Sequence, residues 1–247
     1  VIMTLPQLTT PTFDLELPST KEKVKFRPFL VKEEKIFLIA MESRDENDIL
    51  NAVRTTLKNC IMTEGIDVES LPSFDIEYLF LNIRGKSVGE IIDLQVRHPD
   101  EKNSKGEECK HLEDIKININ DIKVTYPEGH EKNILLSPEK NIGLVMKYPT
   151  IAVLELFKTK DNEVKQLFEM VISCIDKIWE GDNVYESTEY TRDEMSSFLE
   201  SCTNKQFEQI NEFFVTMPSL KHNISYICSS CKDTNSIDLE GLQDFFT

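Results

Sequence analysis

The apolar residues of this chain change period twice, and that change limits the elements it can build. Between residues 31 and 83 they recur at three- and four-residue intervals: Ile36, Phe37, Ala40 and Met41, then Ile49, Leu50, Val53, Leu57 and Ile61, then Ile76, Leu79, Phe80 and Ile83. An α-helix sets such residues on one face, so helices are expected throughout this stretch. From Glu90 the period is two. Ile92, Leu94 and Val96 alternate with polar neighbours, and Ile115, Ile117 and Ile119 repeat the pattern beyond a charged loop, which predicts strands. After Thr150 helical spacing returns. Val164, Leu167, Phe168, Val171, Ile172, Ile175, Ile178 and Trp179 form the clearest amphipathic run, and Gly181-Asp182-Asn183 reads as its stop. Segregated helical and β stretches with short connections predict an α+β fold, predominantly helical, with small antiparallel hairpin regions.

Local signals place the ends of these elements. Residues 12–18 and 23–29 alternate around a Pro-Ser-Thr turn and read as a hairpin, closed by Arg27-Pro28. Asp45 is placed to cap the helix that follows it, and Thr191-x-x-Glu194 and Thr203-x-x-Gln206 have capping-box spacing. Further β segments are expected at 124–126 and 134–136, with 141–148 leading out through Pro149. Near the end, Phe207, Ile210, Phe213, Phe214 and Met217 make a helical stripe that Pro218 terminates. Ile224, Tyr226 and Cys228 then alternate as a strand into a turn, 235–239 returns, and Leu242, Phe245 and Phe246 suit a short docking helix. The last hairpin is therefore zinc-ribbon-like, and it bears a weak likeness to the one at 89–126. These regions divide as 1–88, 89–149 and 150–247, or pack together as one unit.

Charge narrows the partners. Twenty-eight Lys and Arg face forty-four Asp and Glu, a formal charge of −16, and no cluster of cations is present to bind phosphates. Nucleic-acid binding is not expected, and an anionic membrane should repel the chain. No run of about 18 apolar residues exists to span a bilayer. The first residues lack the basic and apolar regions of a signal peptide, so the six cysteines are expected as reduced thiols made in a cytoplasm.

Cys228-x-x-Cys231 is the one motif with metal-ligand spacing, and two thiolates on a turn are half of a structural zinc site. Cys109 and His111, on the loop of the middle hairpin, are the first candidates for the other half, with His98 next and His222 as a local choice. The competing reading is a reduced pair without metal. A redox Cys-x-x-Cys is disfavoured because no βαβ pattern surrounds it. Glycine-rich phosphate loops, His-Glu-x-x-His and Gly-x-Ser-x-Gly elbows are absent from the sequence, so no catalysis and no small-molecule ligand are expected. Phe213, Phe214, Tyr226, Leu242, Phe245 and Phe246 are the candidates for partner contact, one member of each Phe pair facing the core.

The succession Glu212-Phe213-Phe214, Met217-Pro218, a strand entering Cys-x-x-Cys, and a closing Leu239-Glu240-Gly241-Leu242 with Phe245-Phe246 resembles the T-even-type bacteriophage baseplate proteins, and among them the hub subunit and hub assembly proteins. TLPQLTTPTFDLELPST and FRPFLVKEEKI near the start, with LPSFDIEYLFLNIRGKSVGE and IGLVMKYPT in the middle, extend the resemblance over residues 3–246. It implies a structural or assembly component of a contractile tail baseplate, bound to other hub proteins and located in the virion. Two alternatives stand beside it: an assembly chaperone absent from the virion, and a zinc-ribbon nucleic-acid adaptor. Members can carry cysteine pairs in both hairpins. Here the middle hairpin has Cys109 alone, a departure that argues against a four-cysteine site.

Overall fold

The computed structural model describes residues 8–43, 45–97, 102–155 and 163–244. His98, Phe245 and Phe246, named above as candidate ligand and contact residues, lie outside them. The chain packs as two units, one from residues 1–68, 74–124 and 219–247 and the other from 69–73 and 125–218.

The first unit opens with a hairpin, β1 (Phe13–Glu16) and β2 (Lys23–Phe26), in the register Phe13 opposite Phe26. Helices α1 (Val31–Ser43), α2 (Glu46–Cys60) and α3 (Ser73–Val88) follow. Asp45 caps α2, accepting from the amides of Asn47 and Asp48, as its position predicts. Strands β3 (Ile91–Arg97) and β4 (Leu112–Asn118) pair antiparallel with Ile92 opposite Ile117 and Leu94 opposite Ile115. After β5 (Lys123–Thr125) the chain leaves this unit and returns as β10 (Ser219–Ile227), β11 (Thr234–Glu240) and the short α8 (Gly241–Asp244). Its three-stranded sheet has the order β11-β10-β5. The two hairpins share one core: Ile92, Leu94, Val96 and Ile117 meet Leu220, Ile224 and Leu239, with Leu81 of α3 among them. Each such side chain taken from water contributes roughly 1.5–3 kcal/mol, which is why both hairpins hold a fixed place in the unit.

One buried face differs from the expected one. Ile36 is exposed, whereas Glu33 on α1 is fully buried, because its carboxylate meets Arg27 at 3.0 Å and accepts from the Leu30 amide at 2.8 Å. Arg27-Pro28, read as the close of the first hairpin, is thus also the anchor of α1.

Another carboxyl of this unit sets a pH dependence. Burial, with the charge of Glu240 adding to it, pushes the Glu77 carboxyl from its ordinary 4.5 up to about 7. The folded chain then holds a proton that the unfolded chain has lost, so stability falls as pH rises from about 4.5 to 7 and is level above it. At 1.36 kcal/mol per pKa unit the loss is about 3 kcal/mol. Glu77→Gln is expected to flatten this slope, measured as the difference in unfolding free energy between pH 5 and pH 8. An unchanged slope would refute it.

The second unit is a four-stranded antiparallel sheet, β6 (Asn133–Ser137), β7 (Ile142–Met146), β8 (Ile175–Glu180) and β9 (Asn183–Glu186), in that order. Its helices are α4 (Ile151–Glu155), α5 (Glu163–Cys174), α6 (Arg192–Glu200) and α7 (Asn204–Thr216). Leu144, Met146, Val171, Ile175, Leu199 and Phe213 lie in its core. Both capping boxes form, and Gln206 also donates to the Leu136 carbonyl at 2.8 Å, tying α7 to β6.

Here the long amphipathic run divides. Residues 163–174 are helix, but Ile175, Ile178 and Trp179 lie on β8, and Gly181, expected as a helix stop, turns the β8–β9 hairpin at φ 59°. An edge of β7 is there to pair with, and β-branched and aromatic side chains suit it, so tertiary pairing overrides a local period. The α+β class holds, with strands a larger share beside the helices than the sequence pattern alone suggests. Among the described residues eleven strands accompany eight α-helices.

Candidate functional site

The shared core of the two hairpins sets the loop after β3 beside the turn after β10. Cys228, Cys231 and Cys109 come together there, their sulfurs all within 4.8 Å of one another, and Cys109 and Cys228 are 3.8 Å apart. Two further contacts join the loops. Ser104 donates from its amide and its hydroxyl to the Asp233 carboxylate, each at 2.6 Å, and the Tyr226 hydroxyl donates to the Arg97 carbonyl at 3.1 Å. The turn itself closes by Lys232 N–H to Cys228 O and Cys228 N–H to Asp233 O, both 2.9 Å, with Lys232 at φ 68°. That left-handed position is costly for a side chain.

Electrostatics distinguish Cys228 from Cys231. The Cys231 amide, then the Ser230 amide and the neighbouring thiols, hold Cys228 below the ordinary thiol pKa against the opposing effect of burial. For Cys231 the Asp233 amide pulls down, but burial and the other two sulfurs outweigh it and leave the pKa raised. Of these two, Cys228 gives up its proton the more readily. Cys174, in contrast, sits in the apolar core of the second unit and Cys60 is buried beside Arg27 in the first, and burial pushes them up to about 12 and about 11.

The other sequence candidates fall in different places. His111 lines the cleft of about 310 Å³ over Cys109 and Cys231, its Nε2 at 2.8 Å from the Ser229 hydroxyl and 3.5 Å from Glu113. His222 stands six residues before Cys228 on β10, roughly 20 Å away at 3.3 Å per residue, and is not part of the cluster. Phe213 is in the core of the second unit, Phe214 crosses it edge-on at 5.2 Å, and Tyr226 is half-buried. Leu242 lies on α8.

One arrangement has no simple signal in the sequence. His130 packs against both Tyr148 and Phe213, at ring distances of 5.6 and 5.1 Å, with Nδ1 at 3.0 Å from the Thr216 hydroxyl and Nε2 at 3.1 Å from the Tyr148 hydroxyl. Thr216 donates to the Glu212 carbonyl at 2.7 Å, so its oxygen accepts from His130 Nδ1–H and Nε2 accepts from Tyr148. Burial, with Lys132 nearby, lowers the pKa of this imidazole and favours the neutral ring that the two hydrogen bonds require. It pins α7 against the strand end of its own unit. Its partners are spread over 86 residues, and a lone histidine in a polar stretch does not announce them.

Among the described residues no helix is long and apolar enough to cross a membrane. A family model described as T4 bacteriophage base plate protein matches residues 10–247. No curated protein and no solved structure matches.

Proposed function

The chain belongs to the T4 bacteriophage base plate protein family, and we propose that within the baseplate it serves the hub, as a structural or assembly component working through protein contacts rather than catalysis. The observation that supports the baseplate part of this reading is the length of the family match, which takes in both units. Surface chemistry supports it. On the first unit, Val31, Leu38 and Ile39 of α1 are 80%, 57% and 57% exposed, apolar area of the kind a partner covers. The C-terminal aromatic stretch that includes Phe246 is the second proposed contact.

The test is capture of co-expressed baseplate proteins by the tagged chain, with mass spectrometry of purified particles beside it. Leu38→Asp with Ile39→Asp, and separately Phe246→Ala, are expected to weaken capture about tenfold or more while unfolding is nearly unchanged. Undiminished capture by both variants, or none by the unaltered chain, would overturn the contact reading. Presence in particles marks a structural subunit, and capture without presence in particles marks an assembly chaperone.

A further inference from the structure

We propose that Cys109, Cys228 and Cys231 are three ligands of a structural zinc ion that joins the two hairpins of the first unit, with His111 as the fourth.

Geometry is the first argument. At a Zn–S distance of 2.3 Å, tetrahedral angles set two sulfurs about 3.8 Å apart, and Cys109 and Cys228 stand at 3.8 Å. A disulfide requires about 2.05 Å and uses only two of the three sulfurs. The second argument is the surroundings. Buried thiols usually pack as small apolar groups, as Cys174 does in the core of the second unit. The cleft over this cluster is instead lined by Lys105, Lys110, Lys232, Glu107, Glu108 and His111. No apolar packing explains why three thiols from two loops meet among such groups, 119 residues apart in sequence for Cys109 and Cys228. A soft divalent cation explains it, and the anionic centre that thiolates make around zinc suits the lysines beside it.

Preorganisation is the third. The Ser104–Asp233 pair and the closed turn at 228–233 already hold Cys109 against the other two. Amides aimed at coordinated sulfur are a usual second shell for such a centre. Of the other donors on the cleft wall, Glu107, Glu108 and His111, the imidazole is the one whose ring is already oriented, by Ser229 and Glu113. The inference does not depend on the baseplate role, since it concerns what closes the fold.

The test begins with elemental analysis of the full chain purified under reducing conditions, followed by cobalt(II) titration of the metal-free form. One zinc per chain is expected, and cobalt should give intense sulfur-to-metal charge transfer with the visible bands of a tetrahedral site. Cys109→Ser should weaken metal binding by about 100-fold or more, beyond the range for second-shell changes. His111→Ala should keep the charge transfer but alter the visible bands, and Cys202→Ser, at a thiol of the other unit, should change nothing. Absence of metal together with failure to take up cobalt would overturn the site. So would zinc held at full affinity by Cys109→Ser, or a Cys109–Cys228 disulfide in a protein that binds no metal. Unaltered bands in His111→Ala would overturn its place as fourth ligand.

Discussion

Gly143→Val is expected to destabilise the second unit by about 3 kcal/mol or more, at the upper end of what overpacking costs. Gly143 is in the middle of β7, paired with Leu135 on one side and Trp179 on the other. A Cβ there would collide with the indole of Trp179 and stand 2.5 Å from the Ile134 carbonyl oxygen. The indole alone could turn aside, but a strand carbonyl moves only by opening its ladder. The indole covering glycine is a cross-strand contact that adds to the sheet and fills the space a side chain would need. Trp179 is the single tryptophan, so denaturant unfolding followed by its fluorescence reports on this sheet directly. An unchanged midpoint for Gly143→Val would refute the account.

Glu33→Ala is expected to cost the first unit about 3–5 kcal/mol, the range for breaking a buried ion pair by removing one partner. The side chains of Glu33 and Arg27 are 0% and 14% exposed, and they meet at 3.0 Å. Arg27 also donates to the Pro28 carbonyl at 2.9 Å, and its Nη1 is 3.6 Å from the Cys60 sulfur. Without the carboxylate, a guanidinium is left in a site with few other acceptors, and the Leu30 amide at the start of α1 loses its partner. Burial raises the pKa of Glu33, but the hydrogen bond and charge of Arg27, with the Leu30 amide, outweigh it, and the net shift is downward. Its contribution is therefore complete above the ordinary carboxylate range and is lost as pH falls through the lowered value. Arg27→Met combined with Glu33→Leu should recover most of the loss, because neither charge then needs a partner. A double-mutant cycle on unfolding free energies checks both statements, and additive effects would refute the pairing.

Glu33 also shows where sequence reading ends. An acid in the charged first turn of a helix, among Lys32, Glu34 and Lys35, reads as solvated, and only the fold back at Arg27-Pro28 makes it interior. Features written within four residues were legible: the caps at Asp45, Thr191 and Thr203 all formed. Alternation in β3 and β10 was legible too, because each has one buried face. Ile175, Ile178 and Trp179 were not, since their spacing suits a helix face as well as a paired strand, and β7 decides between them. Cys109 could be named only as one of several candidate partners for Cys228 and Cys231, beside His111, His98 and His222, and it is the packing of the two hairpins that brings its sulfur to theirs. The His130 arrangement rests on partners that no local spacing announces.

The first unit takes strands from both sides of the second in sequence, and this sets an order for synthesis. Residues 125–218 form a nearly continuous unit and are complete when they emerge from the ribosome. Ile92, Leu94 and Ile117 emerge earlier, but Leu220, Ile224 and Leu239, which cover them, come last. Until residues 219–240 are translated, the nascent chain therefore carries an uncovered apolar sheet, a target for chaperones and for other copies. A translation product stopped before β10 would retain a folded middle and an adhesive beginning, so a prematurely ended chain is marked for removal by its own surface.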